Sequence, residues 1–118
     1  MASTFYWKAG ATLGITAVAL GAFGAHGLAK HVNNDPKKLK SWEMAANYQL
    51  AHAIALLVVS SAPRAVNRYA APLMLGGTLA FSGTIYALTL NRDQFKFLGP
   101  VTPLGGLAMM AGWAALLL

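Results

Sequence analysis

The hydrophobic and polar positions of this chain form four long uncharged stretches, separated by short segments that carry charge. Each stretch is about 20 residues long, which is the length that an α-helix needs to cross the hydrocarbon core of a bilayer. The stretches cover residues 9–29, 44–63, 69–91 and 97–118. They predict four membrane-spanning helices, at about 9–29, 44–62, 70–90 and 101–118.

The predicted spans are joined by short connectors. Residues 64–68 join the second span to the third, and residues 91–100 join the third to the fourth. Because short connectors make consecutive helices antiparallel neighbours, the predicted fold is an all-α membrane protein, an antiparallel four-helix transmembrane bundle with up-down-up-down topology. Residues 1–118 would form this single domain.

The first loop predicts that the second helix begins ahead of the membrane. Asp35 followed by Pro36 is typical of a helix N-cap with proline at the first helical position. Residues 36–43 would therefore form an interfacial helical extension. Its basic and aromatic side chains would reach the lipid headgroups. These side chains are Lys37, Lys38, Lys40 and Trp42.

Composition supports a membrane protein. Hydrophobic residues make up 57% of the chain and charged residues only 10%, too few to cover a surface that faces water. The net charge of +6 comes mostly from Lys and Arg between the apolar stretches. This placement indicates a bilayer that includes anionic lipid as the partner, and no nucleic acid.

The basic residues are unevenly divided between the two sides of the predicted membrane. The first and third loops carry Lys30, Lys37, Lys38, Lys40, Arg92 and Lys96, whereas the opposite side carries Lys8, Arg64 and Arg68. This excess predicts that the first and third loops face the cytoplasm or matrix.

Glycines recur at helical spacing in three of the spans, where small residues let neighbouring helix backbones approach closely. We therefore predict a role in helix packing, or in contact with a partner protein or a second copy. The glycines are Gly10, Gly14, Gly21, Gly24, Gly83, Gly105, Gly106 and Gly112.

Several polar side chains lie within the predicted spans, where each needs a hydrogen-bond partner. Tyr48, Gln49 and His52 share one face of the second span. On the third span, Thr78, Ser82 and Tyr86 are spaced four residues apart, and we predict that they face Gln49 and His52. The predicted intramembrane polar cluster contains His26, Tyr48, Gln49, His52, Ser82 and Tyr86.

The chemistry of this cluster has three alternatives: structural hydrogen bonding, a metal or haem site, or the binding of a ligand or proton. His26 and His52 would differ in depth by ~10 Å, which disfavours a shared haem. We therefore expect no metal and no cofactor. The three acidic residues, Asp35, Glu43 and Asp93, lie at or outside the interface, so no catalytic residues and no enzyme activity are expected.

The start of the fourth span has an unusual sequence, "FLGPVTPLGG". Thr102 followed by Pro103 predicts a cap and a helix that begins at Pro103. The preceding residues 97–101 would then enter the membrane as non-helical backbone, which is tolerated only against protein or water.

Four motifs in order carry a family resemblance: "ALGAFGAHGL", "YQLAHAIALL", "FSGTIYALTL" and "GPVTPLGG" with a later "AGW". Together they resemble the small membrane-protein family that includes bacterial YgdD and the eukaryotic transmembrane protein 256. The motif residues are Gly24, His26, Tyr48, Gln49, His52, Ser82, Gly83, Tyr86, Pro103, Gly105, Gly106 and Trp113. The resemblance implies a four-span fold and, through eukaryotic members, the mitochondrial inner membrane.

Two functions remain open from the sequence. One is a non-catalytic accessory or assembly component of a membrane complex, plausibly a respiratory complex, with a membrane-protein partner or a homo-oligomer. The other is a small binding or transport protein for a lipid, a proton or a small polar solute, which would use the polar cluster.

Overall fold

The computed structural model describes residues 4–118, except the side chains of residues 64–67, and this part of the chain is mostly helical. Arg64 is one of the basic residues named above, and its side chain lies outside the described residues. The four long helices are α1 (Thr4–His26), α3 (Pro36–Ser60), α4 (Arg64–Leu90) and α6 (Val101–Ala115). The short ones are α2 (Leu28–His31), α5 (Arg92–Phe95) and a 3-10 turn (Lys96–Leu98). The predicted all-α class is confirmed.

The long helices pack in chain order, α1 mainly on α3, α3 on α4 and α4 on α6. Gly10 at the start of α1 lies against Ala53 in the second half of α3, whereas Gly24 lies against Trp42 near its beginning. These two helices therefore run antiparallel. The contacts between α3 and α4 and between α4 and α6 show the same alternation of direction.

The beginning of α3 confirms the predicted cap. The Asp35 side chain accepts a hydrogen bond from the backbone N–H of Lys37 at 3.0 Å, and Pro36 occupies the first helical position. Asn33 and Asn34 lead into this cap with positive φ angles of 54° and 58°. Asparagine tolerates this left-handed backbone better than most residues, which allows the tight turn between α2 and α3.

Two predicted boundaries are wrong. The predicted connector 64–68 lies within the helix α4, so the connecting segment is only Ser61–Pro63. Charge shows where a helix leaves an apolar environment, but it does not end a helix. The fourth long helix begins at Val101, which agrees with the start of the predicted span 101–118 and not with the predicted helix start at Pro103, and Pro100 is its N-cap residue. Thr102 lies inside this helix, where its hydroxyl is hydrogen-bonded to the hydroxyl of Thr84 instead of forming the predicted cap.

Two apolar clusters form the core, near opposite ends of α3. The first joins the end of α3 to the beginning of α4, and Tyr6 and Ala115 pack against it from α1 and α6. Its buried members are Ala55, Leu56, Val59, Ala70, Ala71 and Met74. The second cluster contains Leu28, Val32 and Trp42.

Trp42 belongs to the core and does not face lipid headgroups, so its predicted placement is wrong. Its side chain is only 1% exposed, and its indole Nε1–H donates to the backbone carbonyl of Leu20 at 2.8 Å. The indole lies between the rings of Phe23 and Tyr86, with centroids 5.5 and 4.7 Å away. A Cβ at Gly24 would lie 2.5 Å from Trp42 Cδ1, so the glycine creates the space that buries this ring.

Close backbone approach at glycines is strongest between α4 and α6. A Cβ at Gly105 would lie less than 3 Å from backbone atoms of Ala80 and Phe81, and a Cβ at Gly112 would meet Met74 Cγ at 2.7 Å. Gly77 makes an equally close approach to Met109.

The remaining predicted packing glycines differ from these. Added Cβ atoms at Gly14, Gly21 and Gly106 would make ordinary contacts of 3.5–4.0 Å. A Cβ added at Gly10 would lie closer, 3.0 Å from the Ala53 carbonyl oxygen. Gly83 has nothing within 4 Å, so its predicted packing role within this chain is wrong. It lies on the exposed side of α4.

Two helical segments are long and apolar enough to cross a membrane by length and composition, Thr4–His26 and Arg68–Leu90. Val101–Ala115 is apolar but shorter. In α3, the polar side chains of the first half lower the mean hydropathy. Large apolar side chains nevertheless point outward from all four long helices, including Ile15, Ile54, Leu79 and Leu107, each more than half exposed.

Candidate functional site

Gln49 of α3 lies at the centre of the polar cluster and joins three helices. Its Nε2 donates to the backbone carbonyl of Leu13 at 2.9 Å and to Thr16 Oγ1 at 2.6 Å, both on α1. Its Oε1 accepts from the Tyr86 hydroxyl of α4 at 2.7 Å. The residue is only 4% exposed, and both ends of its amide are therefore used inside the protein.

These hydrogen bonds stabilise the contacts among α1, α3 and α4. Interhelical hydrogen bonds in membranes contribute about 0.6 kcal/mol on average and up to about 1.7 kcal/mol. Ser82 adds another, because its hydroxyl donates to the backbone carbonyl of Ala45 at 2.8 Å. Of the three α4 residues predicted to face α3, Ser82 and Tyr86 thus form hydrogen bonds with it.

A cavity of about 200 Å³ lies between α1 and α4, next to Gln49. Leucine side chains from both helices line it, together with polar residues that include Ser82 and Tyr86 of α4. Thr78 also lines it, and its side chain is only 1% exposed. The Thr78 hydroxyl makes no hydrogen bond within the described part of the chain. An unpaired buried hydroxyl is energetically unfavourable.

His52 has a different partner from the predicted one. Trp113 of α6 donates its indole N–H to His52 Nε2 at 2.9 Å, and His52 Nδ1 lies 2.8 Å from the Tyr48 carbonyl oxygen. The hydrogen-bond pattern assigns the proton to Nδ1, because Nε2 accepts from an obligate donor. The prediction that His52 faces Thr78, Ser82 and Tyr86 of α4 is wrong. It lies three residues after Gln49, which rotates it about 60° around α3, towards α6.

Tyr48 lies at the edge of the cluster. Its ring is 48% exposed and stacks on Phe81 of α4 with centroids 5.4 Å apart. The His52 ring also stacks with the Tyr48 ring, with centroids 6.4 Å apart. Tyr48 thus covers the histidine from the outer surface.

His26 does not join the other cluster residues. It is the last residue of α1, is exposed, and lies ten residues beyond Thr16, or about 15 Å along the helix. Among the described residues, no group of three His, Cys, Asp or Glu side chains is placed to hold a metal ion. In His52, both ring nitrogens already contact protein atoms.

The predicted headgroup lysines are at the beginning of α3, where Lys37 and Lys40 are exposed and Lys38 is partly buried. They lie at the same end of the molecule as α2, α5 and the 3-10 turn. The end of α4 and the beginning of α6 are also at this end.

Comparison with known proteins decides the family. Residues 20–106 match the model of a family described as "Protein of unknown function (DUF423)". The chain belongs to the DUF423 family.

Relatives of this DUF423 chain extend over nearly its whole length. A "UPF0382 membrane protein" of Schizosaccharomyces pombe is 44% identical over 115 residues, which cover 94% of this chain and 97% of the relative. The "UPF0382 membrane protein YwdK" of Bacillus subtilis is 38% identical over 109 residues, covering 88% of this chain and 85% of the relative. No solved structure matches significantly.

These matches agree with the family indicated by the sequence motifs, and they identify the DUF423 chain as a membrane protein. Thr16 contributes to the interhelical contacts of this family member without having been predicted. It does not stand out by spacing, because threonine is common in membrane helices. Trp113 appeared only as a motif residue, and its partner on α3 had no signal in the sequence pattern.

Proposed function

We propose that this protein is a non-catalytic accessory or assembly component of a larger membrane complex, plausibly a respiratory one. In this proposal α1, α3, α4 and α6 all cross the bilayer and form one antiparallel four-helix domain. The main observation that supports this proposal is that residues of the polar cluster connect helices: Gln49, Ser82 and His52 all form interhelical hydrogen bonds. Such hydrogen bonds hold a scaffold together.

The lipid-facing surface supports four crossings. Apolar side chains project from α3 and α6 as they do from the two longer apolar helices, for example Val58 (67% exposed) and Leu104 (62%). In water such a surface would favour aggregation, whereas in a bilayer it contacts lipid tails. The eukaryotic branch of the family resemblance and the relative in Schizosaccharomyces pombe support the mitochondrial inner membrane as the location.

A glycine surface on α4 supports a protein partner. Gly76 and Gly83 are both exposed, and an added Cβ at either would meet nothing within 4 Å. They lie seven residues apart, on one face of the helix, with Leu79 between them. Leu79 and Gly83 also line the cavity beside Gln49. Small residues with no close neighbour within the chain offer close approach to a helix of another chain or of a second copy.

Substitution of this surface tests the accessory role. After extraction in mild detergent, the wild-type protein should migrate on a native gel well above a monomer of 12.4 kDa with its bound detergent. Gly76→Leu with Gly83→Leu should reduce association roughly tenfold, or ~1.4 kcal/mol. Ala111→Leu with Ala114→Leu, on exposed positions of α6, serves as the control and should leave the complex intact. Migration of the wild type at monomer size alone would rule out the proposal.

The alternative function is a binding or transport role for a lipid, a proton or a small polar solute, and the unpaired Thr78 hydroxyl in the cavity favours it. In that case gently extracted protein should retain a small molecule that is detectable by mass spectrometry. Thr78→Val, which keeps the shape and removes the hydroxyl, should release it. Thr12→Val, on the exposed face of α1, is the control.

The stability of Thr78→Val separates the two functions. If the cavity is empty, loss of the unpaired hydroxyl should increase the free energy of unfolding by about 1 kcal/mol. Wild-type protein that carries no compound, together with this increase, excludes a lipid or a small polar solute bound in this cavity.

A further inference from the structure

A second, larger cavity lies at the end of the molecule that contains the predicted headgroup lysines. It is an open cleft of about 540 Å³ between the beginning of α3, the end of α4 and the beginning of α6. This volume falls within the range of small-molecule binding sites. The cleft is separate from the polar cluster, because it shares no lining residue with the cavity beside Gln49.

Basic side chains from two separate segments meet in this cleft. Lys37 and Lys38 come from the first turn of α3, and Arg92 comes from the beginning of α5. Asp35 also lines the cleft, but its carboxylate already caps α3 through the Lys37 backbone N–H. Three cations against one carboxylate leave a net positive charge of two.

The position of the lysines is unfavourable for the helix itself. The first turn of α3 has no acidic residue, although the positive end of the helix dipole favours acidic side chains there. An anion in the cleft would interact favourably with Lys37, Lys38 and the helix terminus together. The sequence thus places cations where a ligand benefits from them and the isolated helix does not.

The other walls of the cleft are apolar or carry hydroxyl groups. Ile85 and Leu88 of α4 and Pro103 of α6 supply apolar surface, whereas Ser41 and Thr102 supply hydroxyl groups. A free phosphate ion would use only the basic part. A molecule with a phosphate at one end and an acyl chain at the other would use both.

We propose that this cleft binds an anionic phospholipid, with its phosphate at Lys37, Lys38 and Arg92. The first part of an acyl chain lies along Ile85 and Leu88. This inference rests on the proposed function insofar as the ends of the spanning helices must lie at headgroup depth. It goes beyond general attraction of basic loops to lipid, because Lys30, Lys40 and Lys96 do not line the cleft.

Lipid binding to the purified full chain in mild detergent tests the proposal. Dissociation constants would be measured by native mass spectrometry for phosphatidylglycerol and for phosphatidylcholine. The variant K37Q/K38Q/R92Q removes the cleft cations, and K30Q/K40Q/K96Q removes three charges at the same end of the chain. The first variant should bind phosphatidylglycerol about tenfold more weakly than wild type, because each basic residue near a membrane surface contributes appreciably. The second should change by less than about twofold.

Each result has a definite meaning. Equal losses in the two variants would show diffuse attraction and overturn the cleft as a site. Wild-type binding of phosphatidylglycerol and phosphatidylcholine with equal affinity would overturn the anionic preference. Inorganic phosphate that binds the wild type and displaces the lipid equally well would overturn the acyl-chain contact.

Two further measurements keep the result interpretable. Arg92→Gln alone changes an exposed residue outside the long helices, so it provides a second variant with an intact fold. Failure of the proposed accessory role would appear as monomeric migration of wild-type protein on the native gel. That outcome leaves the lipid affinities unaffected and therefore remains distinguishable from failure of the cleft.

Discussion

Replacement of Trp42 by alanine is expected to lower the free energy of unfolding by about 3 kcal/mol. The indole is the largest fully buried side chain, and it fills the space opposite Gly24. Its removal leaves a cavity between α1, α3 and α4, and it removes the hydrogen bond to the Leu20 carbonyl. Reversible unfolding in mixed micelles of SDS and a mild detergent measures the change.

Two related variants separate packing from hydrogen bonding. Trp42→Phe keeps an aromatic ring but loses the indole N–H, so we expect a smaller loss of about 1 kcal/mol. Trp7→Ala, on an α1 position that is 50% exposed, should have little effect. A loss for Trp42→Ala that is no larger than the loss for Trp7→Ala would show that Trp42 faces lipid.

Gly105→Ala is expected to destabilise the protein by about 2 kcal/mol through the contact between α4 and α6. The added methyl group would lie within 3 Å of backbone atoms of Ala80 and Phe81. Backbone atoms of a helix cannot rotate away as the end of a flexible side chain can, so the two helices must separate. The same unfolding assay in mixed micelles measures this loss.

The adjacent glycine provides a matched control. At Gly106 the methyl group would make an ordinary contact of 3.5 Å with the Phe81 ring, so Gly106→Ala should change stability by less than about 0.5 kcal/mol. Gly83→Ala, in open space, should behave likewise. Equal effects at Gly105 and Gly106 would mean that helix propensity, and not the distance between helices, controls both.

The local features of the fold could be predicted from the sequence because they depend on neighbouring residues. The cap at Asp35 follows from an acidic side chain next to a proline, and the helical nature of the long segments follows from their uncharged length. The beginning of α4 could not be predicted in this way. The uncharged stretch begins only after Arg68, whereas the helical backbone already begins at Arg64. A helix can continue into water, so composition and backbone conformation have different boundaries.

The contacts within the polar cluster were harder to predict, because they depend on how each helix is rotated relative to its neighbours. The hydrogen bond between Gln49 and Tyr86 agrees with the prediction that these two side chains face each other between α3 and α4. His52 and Trp113 meet 61 positions apart in the chain, and a rotation of one helix by 60° would separate them. Trp42 shows the same limit: tryptophan beside lysines is typical of an interface, but a glycine on another helix decided its burial.

The three-residue connector Ser61–Pro63 divides the close glycine contacts into two sets. Those of Gly10 and Gly24 hold α1 against α3, whereas those of Gly105 and Gly112 hold α4 against α6. Hydrogen bonds join the two pairs across α3 and α4. All close contacts of the first pair lie within residues that are synthesised before α4 begins. During biogenesis the first hairpin can therefore pack while the second is still being made, and the hydrogen bonds then join two preformed halves.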